Sequence, residues 1–268
     1  KLELHKSKGM RLPKVVIPVH LSGQSCDMRA INELGHQFGF RIIEDASHAL
    51  GASYYDEPVG SCFYSDITVF SFHPAKIITT GEGGLVLTND SAIQKRIGRL
   101  RSHSITRDPD EMVRKSAGPW YYEQLELGFN YRMNDIQAAL GLSQLKRLEE
   151  FIDRRKEIAR RYDHSLSNLS VTKQKASSDI QSSSHLYIIR VPKQKHLSLF
   201  ETLRRDGIGV NLHYTPVHLQ PYYRNFGFKE GDYPEAEAYG NEAISLPIYP
   251  DLTNGDQDYV IETLKKHI

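Results

Sequence analysis

"KVVIPVHLSGQSCDMRAINELGHQFGFRIIEDAS", residues 14–47, decides the fold class. Residues 14–23 are rich in β-branched side chains and end in a turn, which predicts a buried strand. Asp27 offers a cap to a helix carrying Ile31, Leu34 and Phe38 on one face, and Gly39 stops it. Residues 41–47 then read as a second short buried strand. A strand–helix–strand unit of this length implies parallel strands joined by a right-handed crossover. Downstream, residues 65–73 and 83–89 predict two more strands with a turn between, and 91–100 predict a helix. The first third is therefore α/β.

Farther along, residues 107–124 are charged and weakly periodic, a long loop of the kind that is often functional. Residues 134–166 predict one long helical stretch. Its apolar stripe is Ile136, Leu140, Leu145, Leu148, Ile152, Ala159 and Tyr162, with Glu150–Arg154 and Glu157–Arg161 pairs on its wet side. Residues 173–184 are polar and serine-rich, a linker. Residues 185–192 and 209–217 read as strands, 196–207 as a helix ended by Gly207, and 252–268 as a final helix capped by Thr253. The expected organisation is a large domain over 1–133, mainly parallel in its sheet. A connecting helix and a smaller α+β domain follow over 134–268.

The totals set limits. A chain of 268 residues holds one large or two medium domains, at about 150 residues each. A hydrophobic content of 39% with 25% charged residues fits a chain with a real core. A formal net charge of +1 gives no field to gather a polyanion, which argues against nucleic-acid binding. No apolar run approaches the ~20 residues that span a bilayer. The start of the chain is polar and mixed in charge, unlike a signal peptide. Cys26 and Cys62 form neither a C-x-x-C pair nor a disulfide framework, so a reducing cytoplasm is the expected compartment. The histidines show no metal-ligand spacing, and no metal is expected.

The chemistry centres on Lys76 in "FSFHPAKIITTGEGG", residues 70–84. It is not a Walker loop, whose glycines precede the lysine and whose Ser or Thr follows it. A lysine becomes special when burial or charge lowers its pKa and a carbonyl partner lets it form an imine. Taken alone, Lys76 reads as an ordinary surface lysine. Asp45, at the carboxyl end of "RIIED", reads alone as a cap or turn residue. Together they match what pyridoxal phosphate chemistry needs, an imine-forming amine and a carboxylate for the pyridinium nitrogen. Open parallel sheets bind ligands beyond these strand ends.

"IIEDASHALGA", "FSFHPAKIITTGEGG", "GFNYRMNDIQAALGLSQL", "HLYIIRV" and "HYTPVHLQPYYR", in this order, resemble the DegT/DnrJ/EryC1/StrS sugar aminotransferases over essentially the whole chain. The resemblance implies a PLP-dependent transferase of fold type I. Lys76 matches the residue that anchors the cofactor covalently and shuttles the proton, and Asp45 matches the pyridinium partner. His48 matches a residue packing near the ring hydroxyl, and Ser71 a phosphate-binding hydroxyl. Asn130 matches a residue reaching the cofactor phosphate of the neighbouring subunit, which implies a homodimer with shared active sites. His213 resembles a residue near the sugar pocket, and Tyr131 and Arg132 resemble residues of the loop around it. Plainer readings exist for four of these. Ser71 could satisfy strand backbone, Asn130 could cap the following helix in competition with Asn134, His48 could be a core histidine, and His213 could be a strand-end residue.

Within the family, "HPAKIITTGEGG", "SGQSCDM" and "HLQPYYRNFGFKEGDYPEAE" look most like the C4 aminotransferase of pseudaminic acid synthesis. That likeness implies L-glutamate as donor and a UDP-linked 4-keto-6-deoxy-N-acetylhexosamine as acceptor. One departure stands at the front. The family's glycine–threonine turn and helix, which hold the cofactor phosphate, do not occur after Lys1. The sequence as written is therefore expected to bind cofactor weakly and to leave a sheet edge exposed. Alternatives are a sugar dehydratase of the same family, where a histidine replaces the lysine, and an inactive truncated homologue. A class I aldolase needs the lysine but neither Asp45 nor Ser71.

Overall fold

A computed structural model describes residues 1–175 and 177–268; residue 176, within the expected serine-rich linker, lies outside the described residues. The chain forms two compact units. The first comprises Lys1–His20, Cys26–Ser47 and Glu57–Lys146; the second comprises Leu21–Ser25, His48–Asp56 and Arg147–Ile268.

In the first unit four strands lie in the order Val15–Val16 (β1), Arg41–Asp45 (β2), Ile67–Ser71 (β3) and Gly84–Leu87 (β4). β1 and β3 both run parallel to β2, and β4 closes the sheet antiparallel to β3. The crossover helix Met28–Phe38 starts where Asp27 accepts the Ala30 N–H at 3.1 Å and stops at Gly39, whose φ of 76° suits glycine. Its buried face is Met28, Gly35 and Phe38. Leu34, expected on that face, is 39% exposed. The packed stripe is rotated because Gly35 lets the helix approach closely; a Cβ there would lie 3.2 Å from Ile42.

The expected buried strand over 14–23 shrinks to the two residues of β1. Val15, Ile17 and Val19 are exposed, because among the described residues β1 is the edge strand of the sheet. The long loop 107–124 is pinned at its base by pairing of Ile105–Thr106 with Glu123–Gln124. Glu123 gathers the loop by accepting the N–H groups of Val113 and Arg114 and the hydroxyl of Tyr121, while Trp120 stands 71% exposed.

The expected single helix over 134–166 is two helices, Asp135–Leu145 in the first unit and Leu148–Ser165 in the second. Asn134 caps the former in a reciprocal box with Gln137. Gly141 packs against Thr80, and Gln144 accepts the Thr79 N–H at 3.0 Å, which ties this helix to the Lys76 loop.

The second unit is built on an antiparallel sheet, with Tyr187–Arg190 (β6) between Thr172–Lys173 (β5) and Ala243–Leu246 (β7). All of β7 is buried. Its core joins Ile158 and Tyr162 of helix Leu148–Ser165, Leu203 of helix Lys193–Arg205, and Leu264 of helix Asn254–His267 to Ile189 and Ile244. Thr253 caps the last helix by accepting the Asp256 N–H at 3.1 Å. The strand expected over 209–217 is reduced to a bridge between Asn211 and Ser245. The missing partner is β7, which follows the helix Pro234–Glu242 with no turn residue between them.

Candidate active site

In the first unit β2 and β3 run parallel, so their carboxyl ends share one edge of the sheet. Asp45 ends β2 and Ser71 ends β3. The chain then turns at residues 73–76, where the Lys76 N–H donates to the His73 carbonyl at 2.9 Å. A return leg bonds back to the strand. The Thr80 N–H and the Thr79 hydroxyl both donate to the Phe72 carbonyl, and the Phe72 N–H donates to Gly83. Ile77 and Ile78 are buried beneath the turn. These bonds hold Lys76 half-buried at the sheet edge. The glycines serve the loop. Gly81 has φ of 80°, and a Cβ on Gly83 would lie 2.3 Å from the Thr80 hydroxyl.

Burial pushes the Lys76 amine below the ordinary lysine range, and the negative charge of Asp45 opposes that shift. Asp45 Oδ1 accepts the Ser47 N–H at 3.1 Å; among the described residues no hydrogen bond occupies Oδ2. A depressed amine that feels the charge of a carboxylate with a spare oxygen is a chemically unusual pair, suited to a ligand with a carbonyl at one end and a cationic nitrogen at the other. The Ser71 hydroxyl oxygen accepts the His73 N–H at 3.3 Å, so its proton is left to donate. Asn130 is exposed and its backbone bridges to Ser102; Arg132 donates to the Ser102 hydroxyl at 3.2 Å. Asn134 does cap the next helix, so Asn130 has no part in that cap.

His48 and His213 belong to the second unit. His48 is buried and its Nδ1 accepts the Ser22 N–H at 3.3 Å. That bond places the imidazole proton on Nε2, which faces the Tyr214 hydroxyl at 3.3 Å. The His48 carbonyl accepts the Ser183 hydroxyl at 2.9 Å. His213 Nδ1 lies 2.8 Å from the Ser245 hydroxyl, and its ring meets Tyr214 edge-on. Tyr214 thus touches both histidines. Nothing in "HYTP" signals that role, because the contact to His48 spans most of the chain.

The chain has relatives among known proteins. The DegT/DnrJ/EryC1/StrS aminotransferase family model matches residues 6–265. The chain belongs to this family. An uncharacterized protein of Methanocaldococcus jannaschii is 41% identical over 259 residues, and the spore coat polysaccharide biosynthesis protein SpsC of Bacillus subtilis is 38% identical over 259. Each alignment covers 94% of this chain but 66% of the relative, just under two thirds of its length. Among solved structures, PseC of Helicobacter pylori, an aminotransferase involved in pseudaminic acid biosynthesis, superposes with a TM-score of 0.86 at 30% identity. It covers 99% of this chain and 70% of that one. A sugar aminotransferase of Streptococcus pneumoniae in its PMP form gives 0.85 at 32%, covering 94% and 69%. The fold is that of the fold-type I enzymes, with a mainly parallel sheet. The family and the PLP and PMP forms of the pneumococcal protein imply pyridoxal phosphate as cofactor. The Lys76 amine and the open Asp45 oxygen fit it.

Proposed function

We propose that this protein is a pyridoxal-phosphate-dependent aminotransferase. It moves an amino group from L-glutamate to C4 of a nucleotide-linked 4-keto-6-deoxy sugar of the UDP-2-acetamido-2,6-dideoxy type. The observation that carries the reading is the half-buried Lys76 amine, lowered by burial and coupled to Asp45 at the strand ends. The likeness to PseC supports the sugar class. Bound pyridoxal phosphate supplies an electron sink for the carbon that gains or loses the amino group.

The chain's own residues do the rest. Lys76 Nζ anchors the cofactor and moves the proton at the reacting carbon; its lowered pKa keeps a fraction of the amine unprotonated for that work. Asp45 Oδ2 holds the proton on a ring nitrogen, and the Ser47 N–H braces the other carboxylate oxygen. The Ser71 hydroxyl donates to a phosphate oxygen. By the family resemblance His48 would serve the ring hydroxyl and His213 the sugar. Asn130 reaches the phosphate across a homodimer with shared sites, in the cytoplasm. Cofactor binding falls to residues 1–133, and the connecting helix and small domain to 134–268. A sugar dehydratase would carry histidine at position 76 and is disfavoured by Lys76. Incubating the protein with pyridoxal phosphate, L-glutamate and 4-keto sugar nucleotides tests the reading by the appearance of amino sugar. Lys76→Ala should abolish it; unchanged turnover in that variant defeats the proposal.

A further inference from the structure

Behind Asp45 the first unit buries a pair of titratable groups that the proposed chemistry does not use. Side chains alternate along β2, so Glu44 lies on the opposite face from Asp45, beside Ile42. Glu44 is 5% exposed and His20 is 0% exposed. Glu44 Oε2 accepts the His20 Nε2–H at 2.7 Å, and Oε1 accepts the hydroxyls of Ser65 and, at 3.0 Å, Thr68. The Cys26 N–H grips the other ring nitrogen of His20 at 3.2 Å. A buried polar pair of this kind is seldom more stabilising than well-packed apolar side chains, so stability alone does not account for it.

Its placement does. The His20 backbone N–H donates to the Asp45 carbonyl at 3.0 Å, and the Asp45 N–H donates to the Pro18 carbonyl at 2.9 Å. The Asp45 peptide is therefore held on both sides by residues 18–20, and the His20 ring is bolted in turn to Glu44 and, through it, to the start of β3. Three neighbouring segments are locked together at the level where β2 delivers its last side chain.

We propose that Glu44 and His20 are positioning residues that fix the Asp45 carboxylate for a cationic ring nitrogen. The inference rests on the reading of Asp45 given above. A displacement of about 1 Å at such a carboxylate is enough to weaken its interaction with a ligand markedly.

The test is equilibrium dialysis of pyridoxal phosphate against four proteins: unsubstituted, Glu44→Gln, Asp45→Asn and the double variant. Glu44→Gln should weaken binding by about tenfold with Asp45 present and by less than about twofold in the Asp45→Asn background, a coupling of the size seen between residues that act together. A merely structural role for Glu44 gives the same loss in both backgrounds, and that result overturns the proposal. If Glu44→Gln does not fold, Ser65→Ala loosens the same carboxylate and enters the same comparison. If the unsubstituted protein binds no cofactor, or Asp45→Asn binds it equally well, the reading of Asp45 itself fails and takes this inference with it.

Discussion

Lys76 and Asp45 act on each other through charge, and that makes the site measurable before any turnover. Burial lowers the Lys76 pKa and Asp45 partly restores it. Asp45→Asn removes the restoring charge, so the Lys76 pKa should fall further. The pH profile of reductive methylation at Lys76, read by peptide mass spectrometry, should shift to lower pH in that variant. A shift to higher pH would show that Asp45 does not face the amine. At this scale the sequence is legible where an interaction is local. The caps at Asp27, Asn134 and Thr253 need only a partner three residues on, and each is present. Glu44 and His20 are 24 residues apart, so their pairing is invisible to local reading. The available sign was a carboxylate on the inward face of "RIIED".

At the scale of elements, the parallel β1–β2 pair and its crossover were legible from the strand–helix–strand pattern alone. Where strands end was not. β1 is short because edge position, rather than composition, sets how far residues 14–20 pair. β7 was missed because a four-residue run directly after a helix carries no turn signal, and its burial depends on partners far away in sequence. The Lys76 loop gives a direct test of how tightly an element holds the lysine it presents. In Gly83→Ala the new Cβ meets the Thr80 hydroxyl at 2.3 Å and Met133 at 3.0 Å. Thr80 is 3% exposed and has little room to move. The variant should lose about 1–3 kcal/mol of stability in urea denaturation followed by circular dichroism, as overpacked sites do. A neutral effect would show the loop to be looser than its hydrogen bonds imply.

For the whole molecule, homodimerisation is the proposal with the largest physical consequence. The first unit exposes Val113 (85%), Leu127 (91%), Ile136 (83%) and Leu142 (63%), side chains that a monomer in water has reason to cover. In the apolar stripe read from 134–166, Ile152 and Tyr162 reach a core, whereas Ile136, Leu140 and Leu145 do not. Periodicity alone does not separate an apolar face meant for the chain's own core from one meant for another molecule. Sedimentation should find dimers, and Ile136→Asp with Leu142→Asp should give monomers that keep their secondary structure. Dimers that survive both substitutions would place the interface elsewhere.

Trp120, on the loop gathered by Glu123, is the chain's single tryptophan. Its ring is already mostly in water in the folded chain. Intrinsic tryptophan emission from this protein therefore reports one loop of the first unit and is nearly blind to the melting of either core. A denaturation curve recorded in that channel would describe the fate of residues 107–124, and anything that covers the loop would announce itself as a blue shift with no change of fold.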